Sequence, residues 1–311
     1  QANEIAAAFG LPCLLSGDMQ TALQLWEDLY QNRANWQKER VKPLRLPAMI
    51  ARELKRLALT EFVLDTKDTE LQLPLQHTKQ MLRQKLDYGI ASGGLLLKPY
   101  YHNGLQIDFV AQNQYLPVRY TNDACTAVIC PEELVLEKRC YTRLEFHQFD
   151  ERVHTHTIQQ RCFRSPTPGT LGLECDLSEV PQWANLLPQK TYYDVSQPLF
   201  AMFQMPEANN IDPTSPLGVS AYADAVDLIH DADVHWERIL WELESSERAI
   251  DASEDLFRFH PGTNQPILPK GRERMYHCLE KTGTGNTIFN TFSPEIRDTS
   301  YFNALNQILR R

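Results

Sequence analysis

The amino-acid sequence predicts an α+β protein, with helical segments towards both ends of the chain and a β-rich segment between them. Apolar residues recur every three or four positions in residues 1–94 and again in residues 215–250, which is the helical period. Residues 95–205 instead show short alternating runs broken by turns and prolines, which is typical of strands. The 311 residues are enough for a sizeable core divided among two or three subdomains.

The first segment predicts three helices. Periodic apolar positions place them at about residues 18–30, 47–59 and 73–92, with Asp18 as a candidate cap of the first helix. Gly93 gives the third helix a C-terminal stop, because glycine readily adopts the left-handed conformation that ends many helices.

The β-rich segment contains two hairpin signals. An Asn-Gly pair at 103–104 separates two apolar runs, and residues 141–163 alternate on either side of a polar turn. A further short strand is predicted earlier in the chain, at residues 61–66. Six prolines between residues 166 and 206 argue against central strands in that stretch.

Residues 215–250 predict one long helix, about 50 Å long at about 1.5 Å per residue. Ser215 and Pro216 provide its cap and first turn. On a helical projection, one stripe is apolar and the opposite face is mainly acidic. The apolar stripe consists of Tyr222, Val226, Ile229, Trp236, Leu240 and Leu243. The opposite face consists of Asp224, Asp227, Asp231, His235, Arg238 and Glu242.

This apolar stripe must pack against another element, because helix stability comes mostly from packing. The acidic face has two interpretations. It is either an ordinary solvated helix surface or the wall of a ring's central channel, where carboxylates repel the phosphates of passing DNA. On the second interpretation, the residues that face the channel or its rim are Asp224, Asp227, Asp231 and Glu242.

Charge and composition exclude some classes of protein. The net charge of −9 does not suggest a nucleic-acid binder, although residues 33–56 carry eight basic residues against two acids. That basic segment has three open readings: a solvated helix end, a protein-docking site or a nucleic-acid contact. No apolar run is long enough for a membrane span, and no secretory signal is expected, because the apolar stretch near residue 1 has no basic residues before it. The seven cysteines include no C-x-x-C pair, so free thiols in a reducing compartment are expected.

One hairpin carries a candidate chemical site. Strand alternation puts Glu145 and His147 on one face, and His154 and His156 on one face of the partner strand. Two histidines and a carboxylate are a possible metal-ligand set, but no catalytic spacing is present and a polar, half-exposed strand face is the simpler reading. The sequence therefore predicts no catalytic residue, no cofactor, no metal and no enzyme activity.

The order of several segments resembles the portal proteins of tailed bacteriophages, of the type found in siphophages of Gram-positive hosts. The similarity extends over nearly the whole chain and is most specific from residue 198 to residue 250. The segments that carry it are LQLWEDLYQNRANWQ, YGIASGGLLLKPYY, YTRLEFHQF, LSEVPQWANLLP, QPLFAMFQMPEANNIDPTSPLGVSAYADAVDLIHDADVHWERILWELESSERAI and FSPEIRDTSYFNALNQIL.

The resemblance implies a phage portal fold, made of a helical and β-rich wing, a long stem helix and a small α/β clip. The wing would span residues 1–205, as a helical layer to 94 and a β-rich part from 95. A connector and the first stem helix would span 206–250, the clip 251–294, and the start of a second stem helix 295–311. The tunnel loop and crown of such proteins would lie beyond Arg311, so the sequence is expected to be truncated before the crown.

The same resemblance implies a structural role in the virion. It implies a ring, typically of twelve subunits, at one capsid vertex, through which double-stranded DNA passes non-specifically during packaging and ejection. Expected partners are further copies of the chain, the terminase motor, head-completion or adaptor proteins, and the capsid and scaffolding proteins, with no membrane. The expected location is the virion, and the host cytoplasm during assembly. The candidate clip residues for docking are Arg258, Lys270, Arg272 and Arg274.

Two other classes remain open from the sequence. One is a structural adaptor or scaffold that binds protein partners through the long helix and has no role with DNA. The other is an enzyme built on the hairpin of Glu145, His147, His154 and His156. Ring formation would distinguish the first from a portal, and stoichiometric bound metal would favour the second.

Overall fold

Helices and mainly antiparallel sheets follow one another in blocks along the chain, which confirms the predicted α+β class. The structure is a computed structural model. It describes residues 1–37, 41–101, 104–121, 124–245, 249–268, 276–280, 289–292 and 298–310. The chain divides into two compact units. The first comprises Gln1–Ala34 and Arg45–Val226, and the second comprises Asn35–Leu44 and Asp227–Arg311.

The described residues contain six α-helices. They are α1 (Ala2–Ala8), α2 (Gly17–Tyr30), α3 (Leu46–Leu59), α4 (Thr69–Ser92), α5 (Val226–Ser245) and α6 (Asp298–Leu309). Predicted helices α2, α3 and α4 are confirmed. The cap of α2 is Ser16, whose hydroxyl accepts from the amide of Met19, and not Asp18. Gly93, with φ of +93°, ends α4 as the sequence predicts.

Strands of the first unit form two sheets. A three-stranded antiparallel sheet has the order β2–β1–β9, and a six-stranded sheet has the order β3–β4–β5–β6–β7, with β8 also paired to β6. The strands are β1 (Gly94–Tyr101), β2 (Leu105–Ala111), β3 (Leu116–Thr121), β4 (Ala124–Leu136), β5 (Arg139–Asp150), β6 (Thr155–Ser165), β7 (Leu173–Cys175), β8 (Gln189–Tyr192) and β9 (Ala201–Gln204). Both predicted hairpins, β1–β2 and β5–β6, are confirmed. The predicted strand at 61–66 is wrong, because no strand is assigned there.

Alternation along β5 separates two kinds of environment in the first unit. Leu144 and Phe146 point into an apolar core that includes Ile5 of α1. Glu145 and His147, which alternate with them along the strand, point to the other face of the sheet, since successive side chains of a strand alternate. A polar cluster and an apolar core are thus built by the same strand.

The helix predicted over residues 215–250 is wrong at both ends. At the start, the backbone of Gly218 is held by the side-chain amide of the fully buried Gln112: the Gly218 amide donates to Oε1 at 3.1 Å, and the Gly218 carbonyl accepts from Nε2 at 2.7 Å. The Ala221 amide donates to the carbonyl of Ile90. These bonds hold the backbone of Gly218 and Ala221 outside the helix, and α5 starts only at Val226, after one 3₁₀ turn.

In the second unit, the chain after α5 forms short strands. They are β10 (Ala249–Ser253), β11 (Arg258–Phe259), β12 (Pro266–Ile267), β13 (Tyr276–Leu279) and β14 (Phe289–Phe292). β10 lies between β13, to which it is parallel, and β14, to which it is antiparallel. Residues 249 and 250 are therefore strand, which is why the predicted helix does not extend to Ile250. The last predicted helix is confirmed as α6.

Candidate functional site

The acids predicted to face a channel differ in exposure. Asp227 and Asp231 are exposed on α5. Asp224, in the 3₁₀ turn before α5, is also exposed and accepts a hydrogen bond of 2.8 Å from Nδ2 of Asn210. Glu242 is only 6% exposed, contrary to the expectation of an open acidic face along the whole helix.

The buried face of α5 is not the stripe that the projection selects. Tyr222 and Ile229 are buried as predicted, whereas Leu243 is exposed. Within α5, the buried residues are Ile229, Ala232, Asp233, Ile239 and Glu242. Two acids therefore lie on the buried side, and the apolar stripe is displaced around the helix in its second half.

Asp233 anchors Trp36, Gln37 and Leu44 to α5 within the second unit. Its Oδ2 accepts from Nε1 of Trp36 at 3.1 Å and from Nε2 of Gln37 at 2.8 Å, and its Oδ1 accepts from the amide of Leu44 at 2.8 Å. The Trp36 ring also makes an edge-on contact with His230, at 4.9 Å between centroids. Sequence reasoning counted Asp233 only as one acid among several. Its role depends on a segment nearly 200 residues away, which no local pattern reveals.

Large apolar side chains are exposed in the second unit. Those in its described residues are Trp241, Leu243, Leu256, Phe259, Ile267, Leu279, Phe289, Phe302 and Leu309. Among the described residues of this unit, the buried apolar side chains are Ile229, Ala232, Ile239, Ala252 and Leu305. Burying such exposed groups against another molecule removes apolar area from water, so they are candidate contact residues for association.

Of the predicted docking residues, Arg258 lies on β11 and is exposed. Lys270, Arg272 and Arg274 lie outside the described residues. In the basic segment, Lys55 forms a salt bridge of 3.0 Å with the buried Asp87. The structure thus gives this lysine a role within the first unit.

The hairpin of β5 and β6 contains a chain of buried hydrogen bonds. Nε2 of His147 lies 2.8 Å from Oε1 of Glu145, and Nδ1 of His147 lies 3.1 Å from Nε2 of His156. Nδ1 of His156 accepts from the amide of Leu199 at 3.3 Å. His154 is not part of this chain, contrary to prediction, because it lies in the turn with φ of +50° and β6 begins one residue later.

The backbone donor at one end of this chain assigns the tautomers of both rings. Since the Leu199 amide donates to Nδ1 of His156, a neutral His156 carries its proton on Nε2 and donates it to Nδ1 of His147. His147 then carries its proton on Nε2 and donates to Glu145. Each of the four ring nitrogens thus makes one hydrogen bond, and the series of hydrogen bonds runs from the Leu199 amide to the Glu145 carboxylate.

Cations from two other positions complete the cluster. Nζ of Lys98, on β1, lies 2.6 Å from Oε1 of Glu145, and the Arg143 guanidinium lies 3.0 Å from Oε2. Burial raises the pKa of Glu145, but the hydrogen bond from His147 and the charges of Lys98 and Arg143 outweigh it and hold that pKa well below its usual range. Burial lowers the pKa of Lys98, and the charge of Glu145 more than restores it, so the pKa of Lys98 is raised. Burial, followed by the neighbouring His147, lowers the pKa of His156 to about 4.

A cleft of about 720 Å³ lies beside this cluster and is lined by Lys98, Arg143, Cys130 and Asp108, among others. Neither His147 nor His156 lines it. A general base must come within hydrogen-bond reach of the proton it removes, so these histidines are poorly placed for catalysis in the cleft. The cluster instead ties the sheet of β1 to the sheet of β5.

The same hydrogen bonds bear on the metal alternative. Metal ligation needs a free imidazole nitrogen lone pair, and both nitrogens of His147 and of His156 are already paired. Among the residues that the structure describes, no group of three His, Cys, Asp or Glu side chains has a geometry that could hold a metal ion.

Comparison with known proteins gives no family for this chain: no protein-family model matches it, and no curated protein gives a significant match. A search of the described helices for a membrane-crossing segment finds none with the required length and apolar character.

Proposed function

We propose that this protein is a portal subunit of a tailed bacteriophage, one copy of a ring through which double-stranded DNA enters and leaves the capsid. The observation that carries the proposal is the surface of the second unit. Among its described residues, the exposed apolar side chains include Trp241 on α5 and Phe302 on α6, and the buried ones are Ile229, Ala232, Ile239, Ala252 and Leu305. Neighbouring copies that cover the exposed groups would add apolar burial, which is the main stabilising term of a folded protein.

The order of elements in the second unit supports the same proposal. A long helix, α5, is followed by a small mixed sheet of β10, β13 and β14, and then by a second helix, α6. This is the stem–clip–stem order that the sequence resemblance implies. The first unit, with helices α1–α4 and two sheets, corresponds to the proposed wing.

Exposed acids supply the proposed channel chemistry. Asp224, Asp227 and Asp231 leave their carboxylates accessible, whereas Glu242 is buried and is no longer assigned to the channel. Carboxylates repel the phosphate backbone, so DNA can slide past them without the salt-dependent attraction that basic groups create. Arg258 remains the described candidate for docking of the terminase or of head-completion proteins. The proposed location is the capsid vertex.

A second candidate is a structural adaptor that binds a protein partner and never meets DNA. The exposure of Trp241, at 59%, favours it as well as a ring, because an exposed aromatic side chain fits a partner's groove as readily as a second copy.

Electron microscopy distinguishes these functions. We expect the protein to form closed rings, with the face of Asp227 and Asp231 towards the bore. A monodisperse monomer in light scattering, or rings with that face outward, would contradict the channel role.

Charge reversal tests the role of the acids directly. The paired variant Asp227→Lys/Asp231→Lys is expected to assemble but to retain double-stranded DNA, with retention that falls steeply as salt rises. Glu133→Lys, an exposed reversal on β4 of the first unit, is the control and is expected not to retain DNA. Equal retention of DNA by both variants would contradict the role of Asp227 and Asp231 in repelling DNA.

A further inference from the structure

Two cysteines of the first unit form a pair that the sequence does not suggest. The seven cysteines are free thiols. Cys162 on β6 and Cys175 on β7 are direct register partners in the antiparallel sheet, and their sulfur atoms are 3.4 Å apart. The other cysteines of this sheet with register partners on β5 or its neighbours do not pair in this way, since Cys130 lies opposite Glu145, and Cys140 lies opposite Val135 and Ser165.

The backbone geometry of this pair suits a disulfide. Directly opposed residues of antiparallel strands have Cα atoms about 4.5–5.5 Å apart, within the roughly 4.4–6.8 Å that disulfides span. The sulfur atoms need to approach by roughly 1.3 Å to reach bonding distance, which side-chain rotation supplies without moving either strand.

The two thiols differ in accessibility. Cys162 is buried with Tyr141, Val180 and Trp183, whereas Cys175 is half-buried at the edge strand. Burial, followed by the contact with Cys175, raises the pKa of Cys162 to about 12. Burial also raises the pKa of Cys175, but the contact with Cys162 acts in the opposite direction. Cys175 is therefore the thiol that ionises and meets a reagent first.

We infer that Cys162 and Cys175 form a reversible dithiol–disulfide site that small disulfides such as oxidised glutathione oxidise. The Cys175 thiolate attacks one sulfur of the small disulfide, forms a mixed disulfide and releases one small thiolate. The Cys162 thiolate then attacks Sγ of Cys175, forms the intramolecular bond and releases the second small thiolate. Two protein thiols are oxidised, one small disulfide is reduced to two thiols, and the two protons pass to those thiols.

Oxidation would fasten β7 to β6. β7 has three residues and pairs with β6 at Cys162, Phe163 and Arg164, so it is a short edge strand. A covalent bond there closes a short loop and restricts the unfolded chain, which raises the midpoint of thermal unfolding by an expected 5 °C or more, roughly.

The test treats the folded protein with oxidised glutathione and maps its disulfides by mass spectrometry of unreduced peptides. The expected result is a bond between Cys162 and Cys175, with two fewer titratable thiols and a higher unfolding midpoint that dithiothreitol reverses. Cys162→Ser should leave glutathione trapped on Cys175, and Cys175→Ser should leave Cys162 unmodified. Cys140→Ser, which alters another buried cysteine of β5, should still form the bond.

Three outcomes would overturn the inference: both thiols staying reduced, glutathione remaining on Cys175 of the unaltered protein, or a bond to a different cysteine. The peptide map of the unaltered protein decides between them even if a serine variant fails to fold. None of these measurements depends on ring formation, so they stand apart from the proposed portal role.

Discussion

Lys98 and Glu145 join two sheets of the first unit, with 2.6 Å between Nζ and Oε1 and each side chain only 11% exposed. Removing one partner of a buried ion pair leaves the other charge without compensation, which costs about 3–5 kcal/mol. Glu145→Gln keeps the shape of the side chain but removes the charge opposite Lys98 and Arg143. We expect it to lower the free energy of unfolding by about 3 kcal/mol, measured by urea denaturation.

The control for that variant is Glu133→Gln, an exposed change on the neighbouring strand β4. It should alter the free energy of unfolding by less than about 0.5 kcal/mol. Equal effects of the two variants would show that Glu145 is not the centre of a buried network.

The pKa of His156 predicts a specific loss of stability in mild acid. Its pKa is about 4 in the folded protein, against an ordinary value of 6.5. Because the unfolded chain takes up this proton first, the stabilisation is complete above pH 6.5 and is lost as the pH falls towards 4. The low pKa of Glu145 acts in a separate window, below the ordinary value of 4.5. The unfolding midpoint should therefore already fall between pH 6.5 and pH 5.

The variant His156→Gln isolates this effect. Glutamine offers one donor and one acceptor but does not titrate. The variant should be less stable than the unaltered protein at neutral pH, yet lose less stability on going from pH 7 to pH 5. An identical pH dependence in both proteins would assign the acid sensitivity to other groups.

Asp233 is expected to hold Trp36, Gln37 and Leu44 in position against α5. Asp233→Ala removes three hydrogen bonds to a buried carboxylate, each of which contributes roughly 1.5–3 kcal/mol when charged. Amide hydrogen exchange at Leu44 should become faster by at least tenfold. Asp231→Ala, two positions away and exposed, is the matched control and should leave that exchange unchanged.

Gly218 passes close to Gly93, and neither position has room for a side chain. A Cβ on Gly218 would lie 2.2 Å from the carbonyl oxygen of Gly93, which is backbone and cannot move aside cheaply. Gly218→Ala should therefore lower the free energy of unfolding by roughly 2 kcal/mol or more. Gly17→Ala is the control, because a Cβ there meets nothing within 4 Å and alanine suits the first turn of α2. A neutral Gly218→Ala would contradict the close approach.

Self-association should depend on Trp241. Its side chain is 59% exposed on α5, and replacing it by serine removes apolar area that a neighbouring copy can cover. Trp241→Ser should shift the population towards smaller species in light scattering at a fixed concentration. Tyr193→Ser, which alters a 74% exposed aromatic residue of the first unit, is the control. Equal shifts in species size for the two variants would indicate nonspecific hydrophobic association and not a defined interface.

Local patterns predicted the elements whose partners are near in sequence. The spacing of Leu23, Trp26 and Leu29 predicted α2, and all three are buried. Alternation predicted that Glu145 and His147 share a face, and their hydrogen bond confirms it. Both cases depend on the period of a single element, which the sequence displays directly.

The features that the sequence did not predict depend on contacts between residues far apart in the chain. The pattern before Val226 predicts a helix, but the side-chain amide of Gln112 binds the backbone of Gly218 instead. Gln112 lies 106 residues before Gly218, so no local pattern shows this contact. Lys98 was missed because its partner Glu145 belongs to a different sheet. A lysine inside the apolar run of β1 was the available signal, since a charge within such a run needs a buried partner.

The second unit is formed from two separate segments of the sequence, which limits how the two units can be expressed separately. The decapeptide Asn35–Leu44 is inserted into the sequence of the first unit but belongs to the same unit as α5. A gene fragment that stops at Val226 would keep the indole of Trp36 and delete Asp233, whose carboxylate accepts the hydrogen bond of that indole. Expressing the first unit alone therefore calls for excision of that decapeptide and a glycine-rich bridge in its place, not a single cut.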